Sequence, residues 1–166
     1  MLALGIDPGT ATTGYGLVRM APDSSLEMVD YGVIKTGSAE PMPLRLKTLH
    51  QELAGILEHH HPETSAVEKL YFQRNVTNAI SVGQARGVAL LALAEFGLPV
   101  GEYTPLEIKQ AVVGYGGADK RQVQRMVQRL LGLDEMPAPD DAADGLAVAI
   151  CHLQISRTEQ RYQDAG

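Results

Sequence analysis

Along this chain, short apolar runs bounded by turn residues alternate with longer stretches in which apolar residues recur every three or four positions, the marks of strands and helices respectively. Leu2-Ala3-Leu4-Gly5-Ile6 is a buried-strand run closed by Asp7-Pro8-Gly9-Thr10. Gly14 to Met20 and Glu27 to Thr36 read as two further strands, and the short turn at Pro22-Asp23-Ser24-Ser25 makes them antiparallel neighbours. From Pro43 to His60 the residues Leu46, Leu49, Leu53, Ile56 and Leu57 keep helical spacing, and Pro62 ends the run. Ser65-Ala66-Val67-Glu68 is a second short apolar strand that ends in an acid. A long helix is predicted from Asn75 to Phe96, stopped by Gly97 and Pro99. Val100 to Tyr103 reads as a fifth strand, followed by helices over Pro105 to Val113, Asp119 to Leu131 and Asp140 to Arg157. The glycine-rich Gly114-Tyr115-Gly116-Gly117 between the first two of these reads as a mobile loop. The order predicts an α/β fold. A three-strand antiparallel meander and two parallel strands form a five-stranded mixed sheet flanked by helices.

Composition narrows this picture. Apolar residues make up 45% of the 166, aromatics only 5%, and Trp is absent, so the core is aliphatic, as expected where helices cover a buried sheet. One domain over residues 1–157 is expected, with 158–166 as a C-terminal tail and no linker inside. No apolar run reaches the ~18 residues of a membrane span. Met1 leads straight into the first strand without a basic head, so no signal peptide is expected. The one cysteine, Cys151, excludes an internal disulfide and a multi-cysteine zinc site. Its apolar neighbours Ala147, Val148, Ile150 and Leu153 predict a buried, inert thiol, and a cytoplasmic location fits. The formal charge of -6 excludes a blanket nucleic-acid coater but leaves room for a local positive stripe.

Candidate chemistry lies in the acids. Asp7 and Glu68 each end a short apolar strand. If a right-handed crossover makes those strands parallel neighbours, both carboxylates emerge on the same sheet edge. Their strands would be about 4.8 Å apart, near the ~3.5–4 Å metal spacing of two-ion phosphodiester enzymes. Asp141 and Asp144 share a helix face, as do Asp140 and Asp144, and either pair can offer oxygen to a hard cation. After Pro139, Asp140 reads as the helix N-cap, which assigns Asp141 to the site, although spacing alone leaves both open as the third ligand.

These residues carry a resemblance. Gly5-Ile6-Asp7-Pro8-Gly9-Thr10 with Thr13-Gly14-Tyr15-Gly16, then Ala66-Val67-Glu68, Gly83-Gln84-Ala85-Arg86-Gly87, Lys109-Gln110-Ala111-Val112-Val113-Gly114 and Asp141-Ala142-Ala143-Asp144 occur in the order and spacing of one family. The chain resembles the RuvC family of Holliday junction resolvases, from about residue 2 to 153. The resemblance implies an RNase H-like fold and a homodimer that nicks two opposed strands of four-way junction DNA. It also implies Mg²⁺, with Mn²⁺ able to substitute, and work beside the RuvA and RuvB branch-migration proteins. The catalytic and metal-binding set carries over as Asp7, Glu68, Asp141 and Asp144. Two ions per site are expected, with Asp7 bridging them. Clustered without a cation, the carboxylates should have raised pKa values.

Among the basic residues, Lys109 and Lys120 match lysines that the family uses near its scissile phosphate. Arg121, Arg125 and Arg129 repeat every fourth residue, a row that suits either phosphate contact or a solvated face. Tyr71 matches an aromatic position of the family and is a candidate to stack on an unpaired base, whereas Phe72 reads as core packing. Lys69 and Arg74 are lesser phosphate candidates. His59, His60 and His61 crowd a helix end, so contact with end carbonyls or plain exposure is expected rather than a metal. Gly83 and Gly87 suit close helix approach across a dimer or within one chain. A strand, Asp and Gly-Thr turn also open the ATP-binding domains of actin and sugar kinases, but those close two domains around nucleotide. A scaffold without catalysis is a second rival, and the complete acidic set argues against it.

Overall fold

The structure, a computed structural model, describes residues 1–69 and 76–164. Strands β1 (Leu2–Asp7), β2 (Thr12–Met20) and β3 (Leu26–Lys35) form the meander, and α1 (Met42–His60) leads into β4 (Thr64–Glu68). Helix α2 (Val76–Glu95), β5 (Val100–Tyr103), α3 (Pro105–Val113), α4 (Lys120–Leu130) and α5 (Asp140–Asp164) complete the chain. The sheet order is β3-β2-β1-β4-β5, antiparallel through the meander and parallel from β1 to β4 to β5. The expected α/β architecture is therefore present, with small shifts at element ends. The largest shift is at α5, which runs to Asp164 rather than stopping at Arg157. Its last turns are too polar to announce a helix by apolar spacing.

Strand alternation divides the core. Leu2, Leu4, Ile6 and Val67 pack with Leu49, Leu53 and Leu57 of α1 and Ala85, Ala89 and Leu93 of α2. Ala3, Val18 and Ala66 point the other way, into the cluster made by α3, α4 and α5. Because side chains alternate along a strand, Asp7 follows Ala3 and Glu68 follows Ala66 onto the α5 face. That parity is what makes the site.

Helix α5 lies unusually close to this face because the contact is made by residues without side chains. A Cβ on Gly14 would overlap the carbonyl oxygen of Asp141, and one on Gly5 would overlap Gly145 and Ala149 backbone atoms. A Cβ on Gly16 would sit 2.5 Å from the Leu146 nitrogen, and one on Gly145 would sit 2.5 Å from the Tyr15 carbonyl carbon. The N-terminal turns of α5 are thus pressed against β1 and β2, carrying their acids to the strand ends.

The remaining polar features are settled locally. Cys151 is buried, and burial raises its thiol to about 12, as suits an inert residue. His152 is also buried, held between the Thr64 hydroxyl at 2.7 Å and the Tyr103 hydroxyl at 2.9 Å, and burial lowers its pKa. Among the histidines at the end of α1, His60 pairs with Asp30 of β3 at 3.0 Å, a non-local partner that helix-end reasoning did not foresee. His61 takes the left-handed C-cap position, with its N–H bonded to the Leu57 carbonyl. Gly114 caps α3 in the left-handed conformation, and the following turn closes through the Ala118 N–H to the Tyr115 carbonyl. Among the described residues, no helix is long and apolar enough to cross a membrane.

Candidate active site

Parallel pairing sets Ile6 opposite Val67, so Asp7 and Glu68 end their strands side by side. Helix α5 brings Asp141 and Asp144 over them, and carboxylate oxygens of Asp7, Asp141 and Asp144 all lie within 4.8 Å of one another. Glu68 stands beside Asp7 at the adjoining strand end, where the two carboxyls act on each other's titration. Burial first, then the charge of Glu68 and the hydrogen bond with it, then Asp144 and Asp141, push the Asp7 carboxyl up to about 9. Burial also raises Glu68, against the opposing pull of Asp7, Lys120 and Lys109. Asp144 is raised chiefly by burial, although Lys120 draws it down. The expected elevation of clustered acids is thus found at these three residues.

Asp140 does not cap α5. The Pro139 carbonyl accepts the first helical N–H bonds, from Ala142 and Ala143, which makes Pro139 the N-cap and Asp140 the first helical residue. The Asp140 carboxylate instead accepts from the Gln124 side-chain amide of α4 at 2.8 Å. It stands 3.8 Å from the Lys120 ammonium, on the rim of the cluster that includes Asp141. Gln124, buried on α4, is a positioning contact that local sequence pattern does not reveal.

Two capped helices deliver the lysines. Thr104 and Glu107 cap α3 reciprocally, which sets Lys109 at the cleft wall, and Asp119 and Gln122 do the same for α4, whose first residue is Lys120. The Lys120 ammonium bonds Asp144 at 3.0 Å. Burial alone would lower its pKa, but the bond and charge of Asp144, with Asp140 and Asp141, outweigh that and raise it. Glu68, Asp144, Lys109 and Lys120 line one open cleft of about 240 Å³, floored by Ile108, Val123, Ala147 and Val148. Lys69 is exposed and lines a neighbouring groove with Val76, Ile80, Arg86 and Glu102. Arg121 is exposed on α4, while Tyr71, Phe72 and Arg74 lie outside the described residues.

The donor set fits a hard divalent cation. Every ligand atom is a carboxylate oxygen, the group is half-buried, and its charges push the carboxyls of Asp7 and Asp144 up in the way that a bound cation would relieve.

A sheet of this order, with acids at the ends of its two central parallel strands, defines a nuclease of the RNase H-like class. The chain belongs to the RuvC family, whose model, described as Crossover junction endodeoxyribonuclease RuvC, matches residues 3–152. A protein of that description in Chloroflexus aurantiacus is 56% identical over 162 residues, covering 98% of each chain. Among solved structures, Thermus thermophilus RuvC superposes with a TM-score of 0.89 at 38% identity, covering 96% of this chain and 97% of that one. The T. thermophilus RuvC in complex with Holliday junction substrate gives 0.87 at 35% identity, covering 95% and 96%.

Proposed function

We propose that this endodeoxyribonuclease resolves four-way DNA junctions by paired, symmetric nicks, using two Mg²⁺ ions, or Mn²⁺ in their place, held by Asp7, Glu68, Asp141 and Asp144. The observation that carries this reading is the meeting of the Asp7, Asp141 and Asp144 carboxylates beside Lys109 and Lys120 at an open cleft. Bound cations would neutralise the scissile phosphate and activate water. The chain's own residues do the rest. Lys109 and Lys120 set positive charge on the cleft wall, where a phosphate entering would exchange for the Asp144 contact of Lys120. The apolar floor limits competing water and strengthens those charges. Lys69, Arg121, Arg74 and Tyr71 are further DNA contacts in this reading.

A homodimer supplies the second site needed for the opposite strand. The exposed face of α2 supports it: Val76, Ile80 and Leu91 are 73%, 61% and 54% accessible, and all lie on one side of the helix. A Cβ on Gly87, on the same side, would meet nothing among the described residues, so packing against them gives no reason for glycine there. RuvA and RuvB are the expected partners, and the cytoplasm the expected location.

The test is a nicking assay on a synthetic four-way junction and a matched linear duplex, with Mg²⁺ present or chelated, comparing wild type with Asp7→Asn. Paired, metal-dependent nicks confined to the junction and lost in the variant are expected. Equal cutting of both substrates would remove the junction specificity, and tight binding without cutting would leave a scaffold.

A further inference from the structure

Helix α4 begins at the catalytic cleft with Lys120 and carries a separate row of arginines on its solvent side. Lys120, Arg121, Arg125 and Arg129 are all exposed, and the helix Lys120–Leu130 contains no acid. That is unusual chemistry for a merely solvated face. Acids outnumber bases in this chain by 20 to 14, so an ordinary exposed helix here would carry Asp or Glu at the spacing of its arginines. Like charges four residues apart oppose folding, and cations in a first helical turn oppose the helix dipole. Lys120, with Gln124 four residues on, meets only the dipole cost, which Asp144 and Asp140 offset. Arg125 and Arg129 repel one another without an ion pair to relieve it, since the arginine ion pairs among the described residues are those of Arg19 with Glu27 and Arg86 with Glu102, while Arg129 in the last turn is favoured by the dipole. Val123 and Val127 pin the opposite side of α4 into the core, which holds the row outward.

A second helix extends the row. Arg157 of α5 lines the same groove, of about 420 Å³, as Arg129, and it too has no ion pair with a described residue. This groove also takes in Met20, at the end of β2 far from Gly14, so it lies at the opposite end of the sheet from the acids. Each step of four residues along α4 advances about 6 Å, which puts the Arg129 backbone about 14 Å from that of Lys120. At 3.6 residues per turn Arg125 and Arg129 lie about 140° and about 180° around α4 from Lys120, so the row begins at Arg121 rather than Lys120 and ends with Arg129 and Arg157 at the far edge of the sheet.

We propose that Arg125, Arg129 and Arg157 form a track for the sugar–phosphate backbone of a duplex arm leaving the cleft. The assignment rests on the junction-cleaving reading above, and adds to it a contact that acts away from the scissile phosphate and reads no base. Guanidinium groups suit this because each offers a planar fork of donors to phosphate oxygens. Such a track makes binding, rather than chemistry, sensitive to salt.

The experiment measures junction binding by fluorescence anisotropy over a series of NaCl concentrations, in chelator to prevent cleavage, for wild type and the variant R125Q/R129Q/R157Q. With about 0.9 in the log–log salt slope for each phosphate neutralised, the variant should lose about 2.7 of slope per protomer engaged. The charge-preserving R125K/R129K/R157K should keep most of the slope, which separates charge from misfolding. In Mg²⁺, the cost should fall on the half-saturating concentration rather than on the maximal nicking rate. A wild-type slope and affinity in the Gln variant, with junction cleavage intact, would overturn the track and leave the resolvase reading standing. A wild-type protein that neither binds nor cuts any four-way junction would overturn that reading, and the track with it.

Discussion

At the scale of single residues, the active site stores unfavourable electrostatics that have a measurable consequence. Asp7 is pushed up to about 9 by burial and by Glu68, against an ordinary value of 3.8, so the metal-free folded state holds a proton that the unfolded chain releases. Between those values folding is proton-binding, and stability must fall as pH rises, by at most about 1.4 kcal/mol per unit for one group. His152 has a pKa lowered by burial and contributes the opposite sign below its ordinary value of 6.5, so the window to examine runs from about pH 7 to about pH 8.5. Urea unfolding in chelator should show declining stability across that window. Asp7→Asn should flatten the decline and be more stable than wild type at its upper end by at least about 1 kcal/mol, while losing nicking activity. A variant no more stable than wild type there would mean that the acids do not strain the metal-free site. Lys120 is the counterweight. Its replacement by Met should lower the nicking rate on the order of 10²-fold, as when one charge-stabilising donor is lost. It should also move the acid limb of the pH–rate profile upward, because Lys120 holds Asp144 down. A profile unmoved in pH would deny that coupling.

At the scale of elements, the decisive contact is the glycine seam between β1, β2 and α5. Gly14→Ala would force its methyl against the Asp141 carbonyl, in backbone that cannot rotate aside. The expected result is a stability loss of about 1–3 kcal/mol from overpacking. A much larger proportional loss of cleavage should accompany it, since α5 must retreat with Asp141 and Asp144. Gly55→Ala is the control: it lies exposed inside α1, a Cβ there meets nothing among the described residues, and alanine should add roughly 0.5–1 kcal/mol. Thermal melts beside nicking rates distinguish the two, and full activity in Gly14→Ala would show that the seam does not set the site. The seam also explains what the sequence could and could not disclose. Asp7 and Glu68 were legible because each ends an apolar strand, and the β-α-β order made those strands parallel. Asp141 and Asp144 were legible as a helical pair, but their height above the sheet depends on Gly5, Gly14, Gly16 and Gly145 meeting across distant segments. Asp140 was misread as a cap because its true partner, Gln124, sits on another helix. His60 found Asp30 for the same reason. Local spacing reports periodicity and caps, whereas contacts between elements remain hidden until the layers are stacked.

At the scale of the molecule, one chain provides one carboxylate cluster among its described residues, and a four-way junction offers two equivalent strands. A two-fold dimer is the arrangement that matches this symmetry, because an isologous interface presents the same patch from both copies. The outer face of α2, with Val76, Ile80, Gly87 and Leu91, is the surface that suits such a contact. A charge placed there would be buried against its own copy, which costs far more than any contact it could gain. Ile80→Glu should therefore convert the protein to monomer in analytical ultracentrifugation while leaving its circular dichroism unchanged. The consequence for activity is specific. On a supercoiled plasmid carrying an extruded cruciform, a dimer makes both cuts within the lifetime of one complex and yields linear DNA. A monomer cuts once, the supercoiling that held the cruciform is lost, and nicked circles accumulate. Ile80→Glu should shift the product from linear toward nicked, with Asp7 and its neighbours intact. A variant that stays dimeric, or a monomer that still yields mainly linear product, would move the interface away from α2 or deny that pairing of the cuts depends on it.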